Sequence, residues 1–163
     1  MNASMRVGIG YDIHRLVAGR PLRLGGIDIE FDRGLIGHSD ADVVLHAVTD
    51  ALLGAAGLPD IGDMFPDTDP AYENADSRGL LRQAMERVRA KGYRPTNLDV
   101  IVHAEAPKLT PYKKKMAGVI AELTGLAADA VSVKGKTNEG MGALGRADAI
   151  ACTAIAGLEG PIH

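Results

Sequence analysis

Two side chains able to ligate a metal stand two residues apart in Gly10-Tyr11-Asp12-Ile13-His14, directly after the alternating apolar residues Met5, Val7 and Ile9. The alternation predicts a β-strand, whose residues i and i+2 project from one face, so a carboxylate and an imidazole can converge on one point. That pair suits Zn²⁺, which in catalytic sites takes three protein ligands and keeps a fourth position open. His46 offers the third: Asp42, His46 and Asp50 stand at i, i+4 and i+8, a polar line on a helix. Asp50 is then a candidate partner for the other ring nitrogen of His46. The same residues also admit a plain reading, with Asp12 ending the strand, His14 on the surface and His46 a satisfied helix histidine.

Other segments could handle an anion. His38 and Ser39 precede the expected helix, where backbone N–H groups and the helix dipole favour negative charge; Ser39 as a simple N-cap is compatible with that role. Lys134 to Gly140, with Gly145-Arg146 beyond, gathers cations, a hydroxyl and flexible backbone, but lacks the order of a Walker A loop. Glu139 could hold Mg²⁺ between phosphates. A plain Gly-rich hairpin is the alternative. Ala104 to Leu109 could wrap a base or be only a strand-to-helix turn, and Lys113-Lys114-Lys115 reads as a solvated face. His103 within an apolar strand reads as structural, and Cys152 as core packing.

The elements that must position these groups fit one domain over residues 1–163. A formal net charge of −3 gives no argument for nucleic acid or an anionic membrane, and two Phe with no Trp make a base-stacking surface a poor fit. A single cysteine excludes an intrachain disulfide and fits a reducing cytoplasm, and no secretory or membrane-spanning segment is evident. Residues 21–24 and 27–31 flank Gly25-Gly26 as a hairpin. Ser39 and Asp42 have capping-box spacing for a helix over Val43–Ala56, ended by Gly57-Leu58-Pro59. Residues 60–77 lack a period and read as a long mobile loop, a candidate lid. A second helix is expected over Ser77–Lys91, a strand over Leu98–Ala104, and a third helix opening at Thr110-Pro111 and closed by Gly125. A short strand over Ala130–Lys134, a Gly-rich loop over 135–145, a last strand over Ala147–Ala156 and a frayed tail over Glu159–His163 complete the reading. The order implies an α/β (α+β) sandwich, one mainly mixed sheet with about three helices on one face, ferredoxin-like in arrangement.

Together, Gly10–His14, His38–Ala55, Asp60-Ile61-Gly62 with Phe65–Pro70, and Lys136–Glu139 with Gly145-Arg146 resemble the 2-C-methyl-D-erythritol 2,4-cyclodiphosphate synthase family, in order from about Arg6 to Ala156. The resemblance implies a metal-dependent phosphorus–oxygen lyase of the non-mevalonate isoprenoid pathway. Its substrate's 2-phosphate attacks its own β-phosphorus and releases CMP. It implies Zn²⁺ on Asp12, His14 and His46, Mg²⁺ or Mn²⁺ on Glu139, and catalytic roles for His38 and Thr137. Substrate contacts would come from Ser39, Asp60, Ile61, Gly62, Phe65 and Asp67, and around the cytidine from Ala104, Ala106, Pro107, Lys108, Leu109, Gly135 and Lys136. It further implies a homotrimer with active sites between subunits and a central channel where Arg146 could meet an isoprenoid diphosphate. Glu105, Lys136, Asn138 and Ala143-Leu144 lie where members vary, and Asp148 stands where some have Glu. Two other readings use the same groups: a zinc-dependent hydrolase of nucleotide diphosphates, and a trimeric isoprenoid-sensing or structural zinc protein.

Overall fold

Glycines 8 and 10 decide how closely the first helix approaches the first strand. The computed structural model describes residues 3–161. In β1 (Ser4–Ala18), a Cβ on Gly8 would stand 2.0 Å from Ala51 O and one on Gly10 1.9 Å from Ala47 O. Only the missing side chains let α1 (Val43–Ala55) lie directly on the strand. That contact brings His46 over Asp12 and His14.

The chain continues through the hairpin β2 (Leu22–Leu24) and β3 (Ile27–Ile29), then β4 (Arg33–Leu35). After α1 come the short α2 (Ile61–Met64), a 3₁₀ turn (Pro70–Tyr72), α3 (Ser77–Ala90), β5 (Arg94–His103) and α4 (Lys113–Thr124). A second 3₁₀ turn (Ala128–Ala130), β6 (Val131–Lys136), α5 (Gly142–Gly145) and β7 (Ala149–Gly160) follow. The main sheet has the order β4-β1-β7-β5-β6; β5 and β6 run parallel and the other pairs antiparallel. This is the expected mixed sheet with helices on one face. α1 lies on β1, β7 and β5, α4 on β6, and α3 packs on both helices. Between them are buried Leu98, Val100 and Val102 of β5 and Ile150, Cys152, Ala154 and Leu158 of β7. The opposite face leaves Met5, Val7, Ile9, Tyr11, Ile13 and Ile155 exposed, a larger apolar row than a solitary soluble chain usually shows.

The hairpin turns at Gly25 and Gly26 with φ of +61° and +76°, as its glycines require. Elsewhere the boundaries move. The N-cap of α1 is Asp42 and not Ser39: Asp42 Oδ1 accepts the N–H groups of Val44 (3.2 Å) and Leu45 (3.0 Å). The hairpin turn adds Gly25 N–H at 2.9 Å and Gly26 N–H at 2.7 Å. With those donors Asp42 is fully buried as the cap, ahead of the helix rather than on a polar line along it with His46 and Asp50. β4 escaped the periodicity because it has three residues, paired with Leu16–Ala18. The expected loop 60–77 contains α2 and a 3₁₀ turn. α4 opens at Lys113 after a turn at Thr110–Tyr112, without a side-chain cap, and closes at Gly125 with φ +79° as expected. β5 starts earlier and β6 ends later than periodicity suggested, which moves Gly135 and Lys136 from the loop into strand. The tail is ordered through Gly160, where Glu159 pairs with Arg94 at 2.6 Å; the expectation of fraying at Ile162 and His163 falls outside the described residues.

Candidate active site

Asp12 Oδ2 lies 3.0 Å from His14 Nε2 and 3.0 Å from His46 Nδ1. These three ligand atoms fall within 4.8 Å of one another, and among the described residues no other group of three or more such side chains does so. The rings of His14 and His46 meet edge-on at 5.7 Å. His14 Nε2 is buried and finds no hydrogen-bond partner among the described residues, although the Asp12 oxygen is so near. Two imidazole nitrogens and one carboxylate oxygen, one nitrogen otherwise orphaned, fit a divalent cation such as zinc. Burial opposes ionisation of Asp12, but close contacts with both imidazoles outweigh it and bring the carboxyl down to about 2. Burial also disfavours a charged His46, yet its contact with Asp12 and the nearby charges of Asp42 and Asp40 hold it above the ordinary histidine value.

Asp50 does not take the position expected of it. Its Oδ1 accepts Ile61 N–H at 2.7 Å and so fixes the start of α2; burial raises its carboxyl above the usual range. His46 Nε2 is held instead by Ser77 Oγ at 2.8 Å, with Ser39 Oγ at 3.2 Å. The helix-start anion site is corrected as well. Asp42 occupies the free N–H groups of α1, and burial pushes it up to about 6 despite the donors from Leu45 and Gly26. His38 and Ser39 therefore face the cavity as side chains beside the helix.

That cavity, of about 410 Å³, is lined by Asp12, His14, His46, His38, Ser39, Ile61, Gly62, Phe65 and Asp67 of the sequence-derived set, joined by Tyr11, Asp50, Tyr72 and Leu80. Asp60 is absent from the lining and instead caps α2 through Asp63 N–H at 2.9 Å. A second, smaller cavity of about 150 Å³ collects Ala104, Pro107, Lys108, Leu109, Gly135, Lys136 and Thr137 with Glu105, Thr110 and Lys113; Ala106 is not in that lining. Asp12, Cys152, Val102 and Gly135 lie in register on four adjacent strands. Three strand spacings put the two cavities roughly 14 Å apart in one chain. Glu139 and Arg146 line neither cavity. Glu139 is exposed at φ +51°, with its N–H on Thr137 Oγ1 at 3.4 Å, and exposed Arg146 pairs with Asp148 at 3.0 Å.

The model of the YgbB family matches residues 5–159. The chain belongs to the YgbB family. It is 60% identical over 156 residues to the 2-C-methyl-D-erythritol 2,4-cyclodiphosphate synthase of Bordetella petrii, with 96% of each chain covered. Among solved structures, the bifunctional IspDF from Campylobacter jejuni superposes with a TM-score of 0.94 at 41% identity, over 98% of this chain and 43% of that longer one. The IspF of Plasmodium falciparum, in a CDP complex, superposes with a TM-score of 0.84 at 34% identity over 98% of both chains.

For this YgbB-family chain the sequence brought out the three clustered ligands and much of both linings, but not Ser77, Tyr72 or Lys113, and not the tie that Glu105 makes. Ser77 is 31 residues from His46, and its sequence context marks only the start of a helix. Glu105 Oε2 accepts Asn138 N–H at 3.0 Å and ties the two segments of the smaller cavity together. Lys113 belonged to a lysine run whose other two members, Lys114 and Lys115, are indeed exposed. The placement of Cys152 in the core is as expected, with burial holding its thiol well above the usual range. His103 is tied to Thr153 at 3.2 Å.

Proposed function

We propose that the protein is a single-domain 2-C-methyl-D-erythritol 2,4-cyclodiphosphate synthase. It converts 4-diphosphocytidyl-2-C-methyl-D-erythritol 2-phosphate into the cyclic diphosphate and CMP. The observation that carries this is the Asp12, His14 and His46 cluster in the lining of a cavity large enough for a phosphorylated polyol. A bond forms between a 2-phosphate oxygen and the β-phosphorus. The bond from that phosphorus to the oxygen bridging to the α-phosphate breaks, and CMP leaves with that oxygen. Such transfer depends on alignment and charge neutralisation more than on covalent help.

Asp12, His14 and His46 would hold Zn²⁺, and Glu139 would hold Mg²⁺ or Mn²⁺ with the substrate's phosphates. Bound cations there supply Lewis-acid polarisation of phosphoryl oxygens. His38 and Ser39 bind phosphate from the cavity wall, His38 with the imidazole and Ser39 with its hydroxyl. Asp60 and Gly62 take the erythritol hydroxyls, while Ile61, Phe65 and Asp67 close that side. Ala104, Ala106, Pro107, Lys108, Leu109, Gly135 and Lys136 surround the cytidine, and Thr137 contacts the diphosphate.

His38 and Thr137 line different cavities of one chain, which supports a site completed by a neighbour. The exposed apolar row on β1 and β7 supports the same assembly, a homotrimer burying that face around a central channel. An isoprenoid diphosphate entering near Arg146 would have to compete with Asp148 for the guanidinium. No helix among the described residues is long and apolar enough to cross a membrane, in keeping with a cytoplasmic enzyme. The test is incubation with the cytidylyl substrate, Zn²⁺ and Mg²⁺, followed by phosphorus NMR. A cyclic diphosphate with stoichiometric CMP is expected. Linear methylerythritol bisphosphate would mark a hydrolase, and no turnover by a zinc-loaded trimer would mark a sensing or structural role.

A further inference from the structure

The side of His46 that faces away from Asp12 fixes which nitrogen can serve a metal. Asp40 is surrounded by donors. Its Oδ2 accepts Ser77 N–H at 3.0 Å and lies 3.5 Å from Arg23 Nη1, its Oδ1 accepts Asp42 N–H at 3.1 Å, and the same oxygen contacts Ser77 Oγ. An ionised carboxylate accepts and cannot donate, and a hydroxyl has one hydrogen. The Ser77 hydrogen therefore goes to Asp40, and Ser77 Oγ can only accept at its contact with His46 Nε2. Nε2 must then carry a ring proton.

We propose that Asp40 and Ser77 are positioning residues for the metal site: they hold His46 with its proton on Nε2, so that Nδ1 turns a lone pair toward Asp12. In the neutral ring so held, Nδ1 and Asp12 Oδ2, 3.0 Å apart, are both acceptors, and a divalent cation between them takes the place that a second ring proton would otherwise fill. Ser39 Oγ shares Nε2–H and accepts Ala41 N–H at 3.3 Å, which leaves the Ser39 hydrogen free for a phosphate in the cavity. The relay is pinned outside the cluster. Asp40 N–H donates to Ala75 O at 3.1 Å and Asn74 N–H to His38 O at 2.8 Å, which zips residues 38–40 to the segment entering α3. The end of loop 60–76 is thus mechanically joined to the orientation of a ligand. The inference rests on the reading that Asp12, His14 and His46 bind a divalent cation.

The test uses the full chain labelled with ¹⁵N-histidine and loaded with Zn²⁺ alone. Long-range proton–nitrogen correlation is expected to show His46 protonated on Nε2 and metal-bound through Nδ1. Zinc affinity, read by chelator competition, is expected to fall about tenfold to a hundredfold in Ser77→Ala. Asp40→Asn should do at least as much, because an amide can donate to Ser77 Oγ and turn its hydrogen toward Nε2, favouring the opposite tautomer. Ser77→Thr, which keeps the hydroxyl, should bind near the wild-type level. Zinc bound through Nε2, or unchanged affinity in folded Ser77→Ala and Asp40→Asn, overturns the relay and leaves the metal site standing. A wild-type chain that binds no divalent ion overturns both. Should a variant fail to fold, the wild-type spectrum still decides.

Discussion

The cavity around Asp12, His14 and His46 and the one along residues 104–113 are built in opposite ways. The larger takes its residues from β1, the segment before α1, α1 itself, α2 and the loop to α3, elements that meet only when the whole helical layer is packed. The smaller draws on one continuous stretch, residues 104–113, laid against the end of β6. The first concentrates histidines and carboxylates at fixed separations. The second offers a loop tied across to the neighbouring strand end by Ala104 N–H on Lys136 O at 2.9 Å, with lysines 108, 113 and 136 around it. Metal chemistry needs geometry held to tenths of an ångström and takes it from long-range packing; recognition of a base and its phosphates can be met by a local loop.

The sharpest way to separate the two is to remove a ligand. His46→Ala is expected to lower CMP release by about a hundredfold or more and to abolish zinc retention while circular dichroism stays native; full activity in the zinc-free variant would erase the division of labour. Gly135→Leu should act the other way. Its added side chain enters the smaller cavity, where Lys113 Cε already lies 3.4 Å from the site of a Cβ. KM for the cytidylyl substrate should rise about tenfold with zinc content unchanged. Mixing the two variants tests whether the cavities serve one another across chains: at substrate well below KM, random trimers assembled at equal ratio should reach about a quarter of the wild-type rate, against about a twentieth if each site lies within one chain. No recovery from well-mixed trimers would place both halves of the site in one chain.

The smallest effect concerns pH. Asp12 is held at about 2 in the folded chain against 3.8 ordinarily, so it contributes stability above 3.8 that is lost as pH falls toward about 2. That linkage is on the order of 2 kcal/mol at most. The melting temperature of metal-free protein should therefore drop by several degrees over that window, and by less in Asp12→Asn. Equal pH dependence in the two would mean that the carboxylate does not engage the imidazoles.

Much of the first cavity was legible because its ligands sit on regular elements: a period of two aimed Asp12 and His14 together, and a period of 3.6 set His46 on α1. What escaped reading was set by neighbours distant in the chain. Asp42 became the cap because the Gly25-Gly26 turn arrived with two more donors, and Asp50 was claimed by the amide of Ile61. Nothing local to Ser77 announces a histidine partner. The second cavity was legible only in outline, as a loop able to wrap a base and a cation-bearing segment, since a Pro-containing loop and a short strand end carry no periodic signal that joins them; Lys113 was hidden in a run of identical charges. Exposure on the far sheet face went unread because alternation tells which residues share a face but not which face the helices cover: in β1 the side of Gly8, Gly10, Asp12 and His14 meets α1, and the apolar side of Met5, Val7 and Ile9 stays exposed.

At Gly8 and Gly10, β1 and α1 meet through main chain and one alanine methyl, that of Ala55. A gap set by side chains can be retuned by a rotamer or a methyl group, whereas this one has only that methyl to adjust. The span between Asp12 and His46, and with it the size of cation they can share, is therefore inherited from backbone contact. Exchanging the ligands would change the cation's chemistry but leave the width of its seat.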